Sequence, residues 1–483
     1  MPSRPSGVLR SQVLESLKWA TSTRVAAQVV SWAITILVMR LLLPGDYGLF
    51  ALALVFVGLF GLVSEIGLSA SIVQSESISL HELRRIFGAL LLVNAGFCVA
   101  TLLIAYWAAR FFAEPQLEPV MQVLGLAFLV APFGVIPAAL LERELRFRER
   151  SLVELSAALT TSVLVLCLAY RGWGVWALVA GNVFQSSWRT VALNRVRPFL
   201  HWPSFAFDRR EPLFAFGRDV LIARLLWFYY GQLDVFLAGK LLGKEALGIY
   251  SVSMHIASIP VQRVSVIVNQ VALSAFAQAK RDAGPIDYLV LKAIRTMSFI
   301  AFPVLWGISS ISHELVSLAL GPAWDTAAPI LALVSLSMPL RMLGEVVKSA
   351  LQSVGRADLV VRNNAVTAIV MPLAFAVGLQ FGLVGLALTW VVVYPLVFVQ
   401  NLARAGPVLG VRAREMLSAM ARPAIISAAM YAAVALARTA ADAGSGVMLA
   451  VLIGVGAATY ALMSVAANRD GVREMLDFAA RGR

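Results

Sequence analysis

The chain has 483 residues, of which 60% are apolar and only 14% are charged. A soluble domain is about half apolar and about a quarter charged, so this composition excludes an ordinary water-soluble enzyme and a disordered chain. The net charge of +13 would suggest nucleic acid in a soluble protein, whereas in a membrane protein it is typical of basic cytoplasmic loops. We therefore expect a polytopic membrane protein that binds no nucleic acid.

The cysteines and the first residues narrow the class further. Cys98 and Cys167 both lie in apolar runs, which argues against a disulfide framework and against a cysteine metal site. The first 20 residues contain no apolar stretch followed by small residues, so we expect no cleavable signal peptide.

The apolar runs predict an all-α integral membrane protein. A spanning helix needs about 20 mostly apolar residues, and fourteen stretches meet that criterion. Glycine turns around 171–174 and 381–382 divide two pairs that would otherwise form single long helices. In chain order the predicted spans are 17–42, 47–74, 86–110, 120–141, 151–171, 173–193, 219–241, 247–273, 290–311, 326–351, 363–381, 383–403, 421–438 and 445–467.

The distribution of basic residues predicts the orientation of these spans. With the amino terminus inside, most of the 40 Lys and Arg residues fall in cytoplasmic segments and few fall in outer loops. This bias satisfies the positive-inside rule, so we expect both termini in the cytoplasm.

The longest polar stretch, 194–218, mixes arginines with aromatic residues and suits a segment lying in the cytoplasmic interface. We interpret it as a linker between two six-helix lobes, with a lipid-headgroup site as the alternative. The expected domains are an N-lobe over 1–200, the linker over 201–218, a C-lobe over 219–404, and two accessory spans with a basic tail over 405–483.

An internal repeat supports two lobes. Residues 40–50, RLLLPGDYGLF, align with 240–250, KLLGKEALGIY, at an offset of 200, and Arg24 and Arg224 share that offset. Six spans in each unit keep the two lobes in the same orientation, so we expect them to be related by an axis along the membrane normal, with a binding site between them.

Sequence motifs for catalysis are missing. The chain has no phosphate-binding loop motif, no H-E-x-x-H motif and no Asp-x-Asp pair, so we expect no catalytic residues, no metal and no bound cofactor. A membrane glycosyltransferase or polymerase is the less favoured class, because it would need catalytic carboxylates and a large loop outside the membrane.

Cations within the spans are the candidate substrate-binding residues. An arginine at the bilayer centre costs roughly 2.5–3.5 kcal/mol in insertion assays, so it must face protein, water or a ligand. A guanidinium matches phosphate oxygens, and we expect Arg24, Arg224 and Arg263 to bind a phosphate-bearing lipid headgroup. The alternative is that the first two extend to the cytoplasmic interface.

Intramembrane acids and amides complete the candidate site. Asp234 and Glu65 lie deep in predicted spans and could couple H⁺ or Na⁺ to movement, or could pair permanently with an arginine such as Arg224. Gln232 and Asn269 would add polar lining for sugar hydroxyls.

Three further charges, Arg341, Glu345 and Lys348, recur at helical spacing in the tenth span. We interpret them as an ion pair between Glu345 and one of the two cations.

Four stretches of the chain carry known signatures. Residues 40–48, RLLLPGDYG, are similar to an R-x-L-x-P-x-x-Y-G signature, and 65–74, EIGLSASIVQ, to a D-x-G-L…I-Q stretch with Glu in place of Asp. Residues 216–250 and 320–329 are similar to further segments, in the right order. Together these stretches resemble polysaccharide flippases, the Wzx-type branch of the multidrug/oligosaccharidyl-lipid/polysaccharide exporter superfamily.

The resemblance implies an alternating-access transporter, not an enzyme, in the bacterial inner membrane. Its cargo would be an undecaprenyl-diphosphate-linked oligosaccharide, moved to the periplasmic leaflet for capsule, exopolysaccharide or O-antigen (lipopolysaccharide) synthesis. The expected partners are membrane lipids and polymerase or export components, and the expected state is a monomer. The alternatives within the superfamily are a peptidoglycan lipid-precursor flippase and a cation-coupled multidrug exporter.

Overall fold

The described part of the protein consists of helices joined by short turns. The computed structural model describes residues 30–31, 33–64, 72–73, 78–206, 231–262, 286–440, 445–469 and 471–475, and no strand occurs within these segments. A helix satisfies its backbone N–H and C=O groups internally, as a hydrocarbon surrounding requires. The chain divides into two compact units, Met1–Arg224 and Leu225–Arg483.

The first unit is built of consecutive helices that pack against their neighbours in sequence. Its described helices are α1 (33–41), α2 (Pro44–Ser64), α3 (Leu80–Phe112), α4 (Leu117–Gly125), α5 (Ala127–Val130), α6 (Pro132–Arg143), α7 (Phe147–Tyr170) and α8 (Val175–Val196). α7 packs along α8, and α3 packs along α4. The path bends by 47° between Leu117–Val130 and Pro132–Arg143, where the proline ring at Pro132 prevents a continuous helix.

The start of the predicted linker is fixed to α3. Arg84 donates from Nε to the Trp202 carbonyl at 2.8 Å, and the Ser204 N–H donates to the Arg84 carbonyl at 2.9 Å. The Trp202 and Phe205 side chains remain exposed, as suits aromatic groups at a membrane interface. Residues 207–218 of the linker lie outside the described residues.

The signature at 40–48 lies at the turn between α1 and α2, and the conformation of this turn accounts for the proline and the aspartate of the signature. Pro44 is the first residue of α2, where its missing N–H costs no helical hydrogen bond. Asp46 accepts two backbone hydrogen bonds, from Leu43 N–H at 3.1 Å to Oδ2 and from Val175 N–H at 2.9 Å to Oδ1. One carboxylate therefore closes its own turn and caps the start of α8.

Substitution of Asp46 tests this double cap. Asn offers one carbonyl oxygen where Asp offers two, so we expect Asp46→Asn to lose one of the two hydrogen bonds and Asp46→Ala to lose both, at a cost of about 1 and about 2 kcal/mol. Thermal unfolding of the purified protein in detergent measures both. Glu118→Gln in α4, whose carboxylate accepts from Gln122 in the same helix, is the control. Equal melting temperatures for all four proteins would contradict the cap.

The second unit contains the remaining helices. They are α9 (231–262), α10 (Ile286–Ser310), α11 (Ser312–Ala319), α12 (Ala327–Ser353), α13 (Ala357–Gly378), α14 (Gly382–Leu409), α15 (Ala413–Ala440) and α16 (Ser445–Ala467). α10 packs against α12 and α15, and α14 packs against α12 and α13. Residues 231–262 are helical, but Gly243 has a φ of +81°, a left-handed conformation that reverses the path there.

An ion pair connects the predicted accessory spans to the rest of the second unit. Arg438 of α15 donates from Nε to Glu314 Oε1 at 2.6 Å and from a terminal nitrogen to Oε2 at 2.8 Å, and it also donates to the Ser310 carbonyl. Glu314 is almost fully buried at the start of α11. This bidentate geometry fixes α15 against α10 and α11.

The predicted membrane architecture is confirmed. Within the described segments, eight helical stretches are long and apolar enough to cross a membrane, and the bent pair around Pro132 makes a ninth. One of the eight, Ala357–Leu409, reverses at Gly382, whose φ is +71°, so it comprises the two antiparallel helices α13 and α14. Each of the fourteen predicted spans overlaps a helix of the structure.

The Glu314–Arg438 pair predicts a pH-dependent stability. Burial favours the neutral carboxyl, but the hydrogen bonds and charge of Arg438 outweigh it and lower the pKa of Glu314 below its usual 4.5. Because the folded pKa is the lower one, the contribution of the pair is complete above about pH 4.5 and is lost as the pH falls through the folded value.

We therefore expect Glu314→Gln to cost about 2 kcal/mol at pH 7, and the difference from the wild type to close progressively below about pH 4.5. Thermal melts in detergent between pH 3.5 and pH 7 measure this difference, roughly spanning the titration of a carboxyl. Asp358→Asn, which removes an exposed pair with Arg356, is the matched control and should cost much less. A difference independent of pH would contradict the assignment.

Candidate functional site

The reversal at Gly243 brings the predicted coupling residue Asp234 to a tyrosine sixteen residues further along the chain. Tyr250 Oη lies 2.5 Å from Asp234 Oδ2. In a straight helix, sixteen residues would separate the two by about 24 Å, so the contact exists only because the two arms of α9 run back along each other. Both side chains are buried, with Asp234 4% exposed.

A chain of hydrogen bonds links this pair to α14. Trp390 Nε1 lies 2.8 Å from Tyr250 Oη. The indole N–H can only donate, so the tyrosine oxygen accepts from Trp390 and gives its own proton to Asp234. The Val235 N–H donates to the other carboxylate oxygen of Asp234 at 2.9 Å. Both oxygens of Asp234 therefore accept a hydrogen bond.

The charge that balances this carboxylate comes from α12. The Arg341 guanidinium carbon lies 4.6 Å from the centroid of the Trp390 ring, in a cation–π contact. Arg341 also acts electrostatically on Asp234 and Tyr250. A buried carboxylate with no partner would cost several kcal/mol in an apolar surrounding, so the tyrosine, the indole and the guanidinium form one interdependent unit.

A polar cavity of about 510 Å³ adjoins Arg341 within the second unit. Its lining combines one acid, two bases and several amides with apolar side chains. The polar side chains that line it are Ser258, Gln262, Arg341, Glu345, Lys348, Asn363, Asn364, Thr367, Tyr394 and Asn401. These residues come from α9, α12, α13 and α14, so the cavity depends on the packing of four helices.

The structure describes two of the seven predicted site residues. Asp234 is at the centre of the buried network, with Tyr250 as its partner. Gln232 is half-buried two residues earlier in α9 and is not among the residues that line the cavity. The other five, Arg24, Glu65, Arg224, Arg263 and Asn269, lie outside the described residues.

Of the two predicted ion pairs of the tenth span, Glu345 with Lys348 or Glu345 with Arg341, the structure contains the first. Lys348 Nζ lies 3.3 Å from Glu345 Oε2, which is an ion pair one turn apart on α12. Arg341 makes no ion pair within 4 Å in the described part of the chain. Among the described residues it contacts the Trp390 ring and, at 3.8–3.9 Å, the sulfur atoms of Met338 and Met254.

Sequence reasoning missed Tyr250, Trp390 and the amides Asn363 and Asn401. Tyr250 was present in the repeat at 240–250, where its position opposite Asp234 could have been inferred from the reversal at the glycine. Trp390 is 140 residues from Tyr250 along the chain, and no local spacing connects it to the Asp234–Tyr250 pair.

Known proteins resemble this chain along most of its length. A family described as polysaccharide biosynthesis protein matches residues 37–329. The lipopolysaccharide biosynthesis protein WzxC of Escherichia coli (strain K12) is 25% identical over 87% of this chain and 86% of its own length. The succinoglycan biosynthesis transport protein ExoT of Rhizobium meliloti (strain 1021) is 22% identical over 67% of this chain and 66% of its own.

Solved structures resemble it in fold. The lipid II flippase MurJ, in an inward closed conformation, aligns with a TM-score of 0.78 at 14% sequence identity, over 92% of this chain and 99% of that one. At this identity the likeness establishes the fold and carries no information on which molecule this chain binds.

Removal of the Tyr250 hydroxyl tests the buried network. Tyr250→Phe leaves an oxygen of Asp234 and the indole N–H of Trp390 without partners, so we expect a loss of about 2–3 kcal/mol in stability. The double variant Tyr250→Phe with Asp234→Leu should be more stable than Tyr250→Phe alone, because it removes the unpaired charge. Thermal unfolding in detergent of the wild type, Asp234→Leu, Tyr250→Phe and the double variant completes the double-mutant cycle and gives the coupling free energy.

Tyr288→Phe, at an exposed tyrosine of α10, is the matched control and should change the melting temperature little. If Asp234→Leu and Tyr250→Phe were simply additive, the two side chains would not act as one unit.

Proposed function

This chain belongs to the polysaccharide biosynthesis protein family, and we propose that it moves an undecaprenyl-diphosphate-linked oligosaccharide from the cytoplasmic to the periplasmic leaflet. The proposed mechanism is alternating access, in the service of capsule, exopolysaccharide or O-antigen synthesis. The observation that carries the proposal is the extended match to relatives named for polysaccharide biosynthesis and transport, on a chain with the fold of a lipid-linked sugar flippase.

The physical chemistry of such a cargo fits a helical membrane protein with polar interior sites. A sugar diphosphate headgroup cannot cross hydrocarbon alone, because each of its polar groups would lose its hydrogen bonds with water. Cationic and amide side chains inside a helical bundle replace those bonds, while the polyprenyl chain stays in lipid. The step breaks no covalent bond, so it needs positions for binding and no catalytic group.

The residues that we propose for headgroup binding are Arg24, Arg224 and Arg263, with Gln232 and Asn269 as polar lining. The guanidinium fork is suited to phosphate oxygens, and the sequence repeat puts the first two arginines at equivalent positions of the two predicted lobes, 1–200 and 219–404.

Asp234 and Glu65 are our candidates for coupling to an H⁺ or Na⁺ gradient, with no other cofactor. The buried network supports Asp234, because a change in the charge of its carboxyl group would change the strength of the hydrogen bond from Tyr250 and the attraction of Arg341. Such a change would also alter the contact of Trp390 with Arg341.

The cellular setting follows from the family. We propose a location in the bacterial inner membrane with both termini in the cytoplasm, in agreement with the distribution of basic residues. We propose lobes over 1–200 and 219–404, joined by the linker 201–218, and accessory spans over 405–483 that guide the lipid tail. A monomer that cooperates with polymerase or export components is the proposed working state.

The alternative cargo within the superfamily is a peptidoglycan lipid precursor, and the fold that the chain shares with the lipid II flippase MurJ does not distinguish the two. The relatives that share more of the sequence are named for polysaccharides, and for that reason we favour the polysaccharide cargo.

Complementation tests the proposal. A strain lacking the gene should accumulate lipid-linked repeat units on the cytoplasmic leaflet and lose surface polysaccharide, and the wild-type gene should restore both. We expect Arg24→Ala and Arg224→Ala to reduce the restored polysaccharide roughly tenfold or more, because each removes a charged contact to phosphate. Asp234→Asn should also fail to restore it.

Arg171→Ala, at an exposed turn, is the matched control and should restore the wild-type level. Protein level in the membrane is measured for every variant, so that loss of folding is separated from loss of transport. Unchanged surface polysaccharide in the deletion strain, where no second transporter is present, would overturn the function. Full rescue by all three site variants would overturn the site residues alone.

A further inference from the structure

The cavity of the second unit contains a cation, Arg341, whose donors contact no oxygen atom of the described residues. Arg341 lines the cavity, and within the described segments its contacts are an indole ring and two thioether sulfurs. These contacts leave the N–H groups of the guanidinium, which normally bind carboxylate or phosphate oxygens, available to a ligand.

The other charges of the cavity do not satisfy Arg341. Glu345 is paired with Lys348, so these two contribute no net charge to the lining. Asp234 attracts Arg341, but its two oxygens accept from Tyr250 and from the backbone of Val235. The cavity therefore presents one excess positive charge with hydrogen-bond donors.

Two amides supply unsatisfied acceptors in the same cavity. The Oδ1 atoms of Asn363 and Asn401 are buried and have no hydrogen-bond partner among the described residues. Asn363 is only 7% exposed, and both side chains line the cavity. A buried acceptor without a partner costs about 1–3 kcal/mol, so these oxygens are sites for a donor from a ligand, such as a hydroxyl group.

We propose that this cavity binds an anionic sugar unit, whose carboxylate or phosphate pairs with Arg341 and whose hydroxyls donate to Asn363 and Asn401. The volume of about 510 Å³ lies in the range of small-molecule sites. The choice of a sugar rests on the proposed function. The site recognises one charged sugar of the glycan, and it is separate from the arginines proposed for the diphosphate.

The Trp390 ring holds the Arg341 guanidinium in position at the cavity wall. Trp390 holds the guanidinium from one side by the cation–π contact, and the same indole donates to Tyr250. The cation is thus preorganised before a ligand enters, which lowers the cost of ordering it on binding.

Ligand binding to the purified full-length protein in lipid nanodiscs tests the site. Ligand-observed NMR titrations use glucuronate, glucose 1-phosphate, glucose and inorganic phosphate. We expect the two anionic sugars to bind and glucose to bind roughly tenfold more weakly or worse. Preference for glucuronate over glucose 1-phosphate, or the reverse, identifies the natural anion as a carboxylate or a phosphate.

Variants assign the binding to named groups. Arg341→Gln should weaken glucuronate binding roughly tenfold or more, and Arg341→Lys, which keeps the charge without the fork, should weaken it less. Asn363→Leu should weaken both anionic sugars and leave inorganic phosphate unaffected. Arg362→Gln, which removes an exposed charge from α13 outside the cavity, is the matched control and should bind as the wild type does.

Three results would overturn the inference: equal binding of glucose and glucuronate, binding that survives Arg341→Gln, or inorganic phosphate binding as tightly as the sugars. A wild-type protein that restores surface polysaccharide but binds neither anionic sugar would refute this site and leave the proposed function intact. A protein that binds them through Arg341 but does not restore polysaccharide would refute the function and leave the site.

Discussion

The cost of placing charge in a hydrocarbon surrounding governs the second unit. Asp234, Tyr250, Trp390 and Arg341 lie inside an apolar helical bundle, and each satisfies part of another's hydrogen-bonding or electrostatic requirement. None of the four could be buried alone at acceptable cost. Their mutual dependence fixes the reversal of α9 against α14 and α12, and it places a cation at the wall of a polar cavity.

The turn after the first helix of each unit shows how one sequence pattern is used in two ways. In the first unit Pro44 begins α2, and the Asp46 carboxylate closes the turn and caps α8. In the second unit Gly243 supplies the reversal by its left-handed backbone, and Tyr250 at the far end of the repeated string reaches Asp234. The segment 40–50 thus connects α2 to α8 through Asp46, and its copy at 240–250 contributes Tyr250 to the buried network of Asp234.

Much of the fold could be predicted because its signals are local. Twenty-residue apolar stretches and glycine turns at 172–174 and 382 depend on neighbours in sequence. The buried position of an acid at Asp234 was also predictable, since a carboxylate deep in a span must be paired. The rest of its network was not, because Trp390 donates to Tyr250 through a tertiary contact between residues that are 140 positions apart along the chain.

The sequence by itself determined that this is an all-helical membrane protein, which segments cross the membrane, and which charges require a partner, because hydropathy and charge are properties of each segment. The tertiary structure alone decided which partner each charge has. It paired Lys348 with Glu345 and stacked Arg341 on an indole, and it left Asn363 facing a cavity. Helical periodicity allows several pairings at similar energy, and only the packing of four helices selects one.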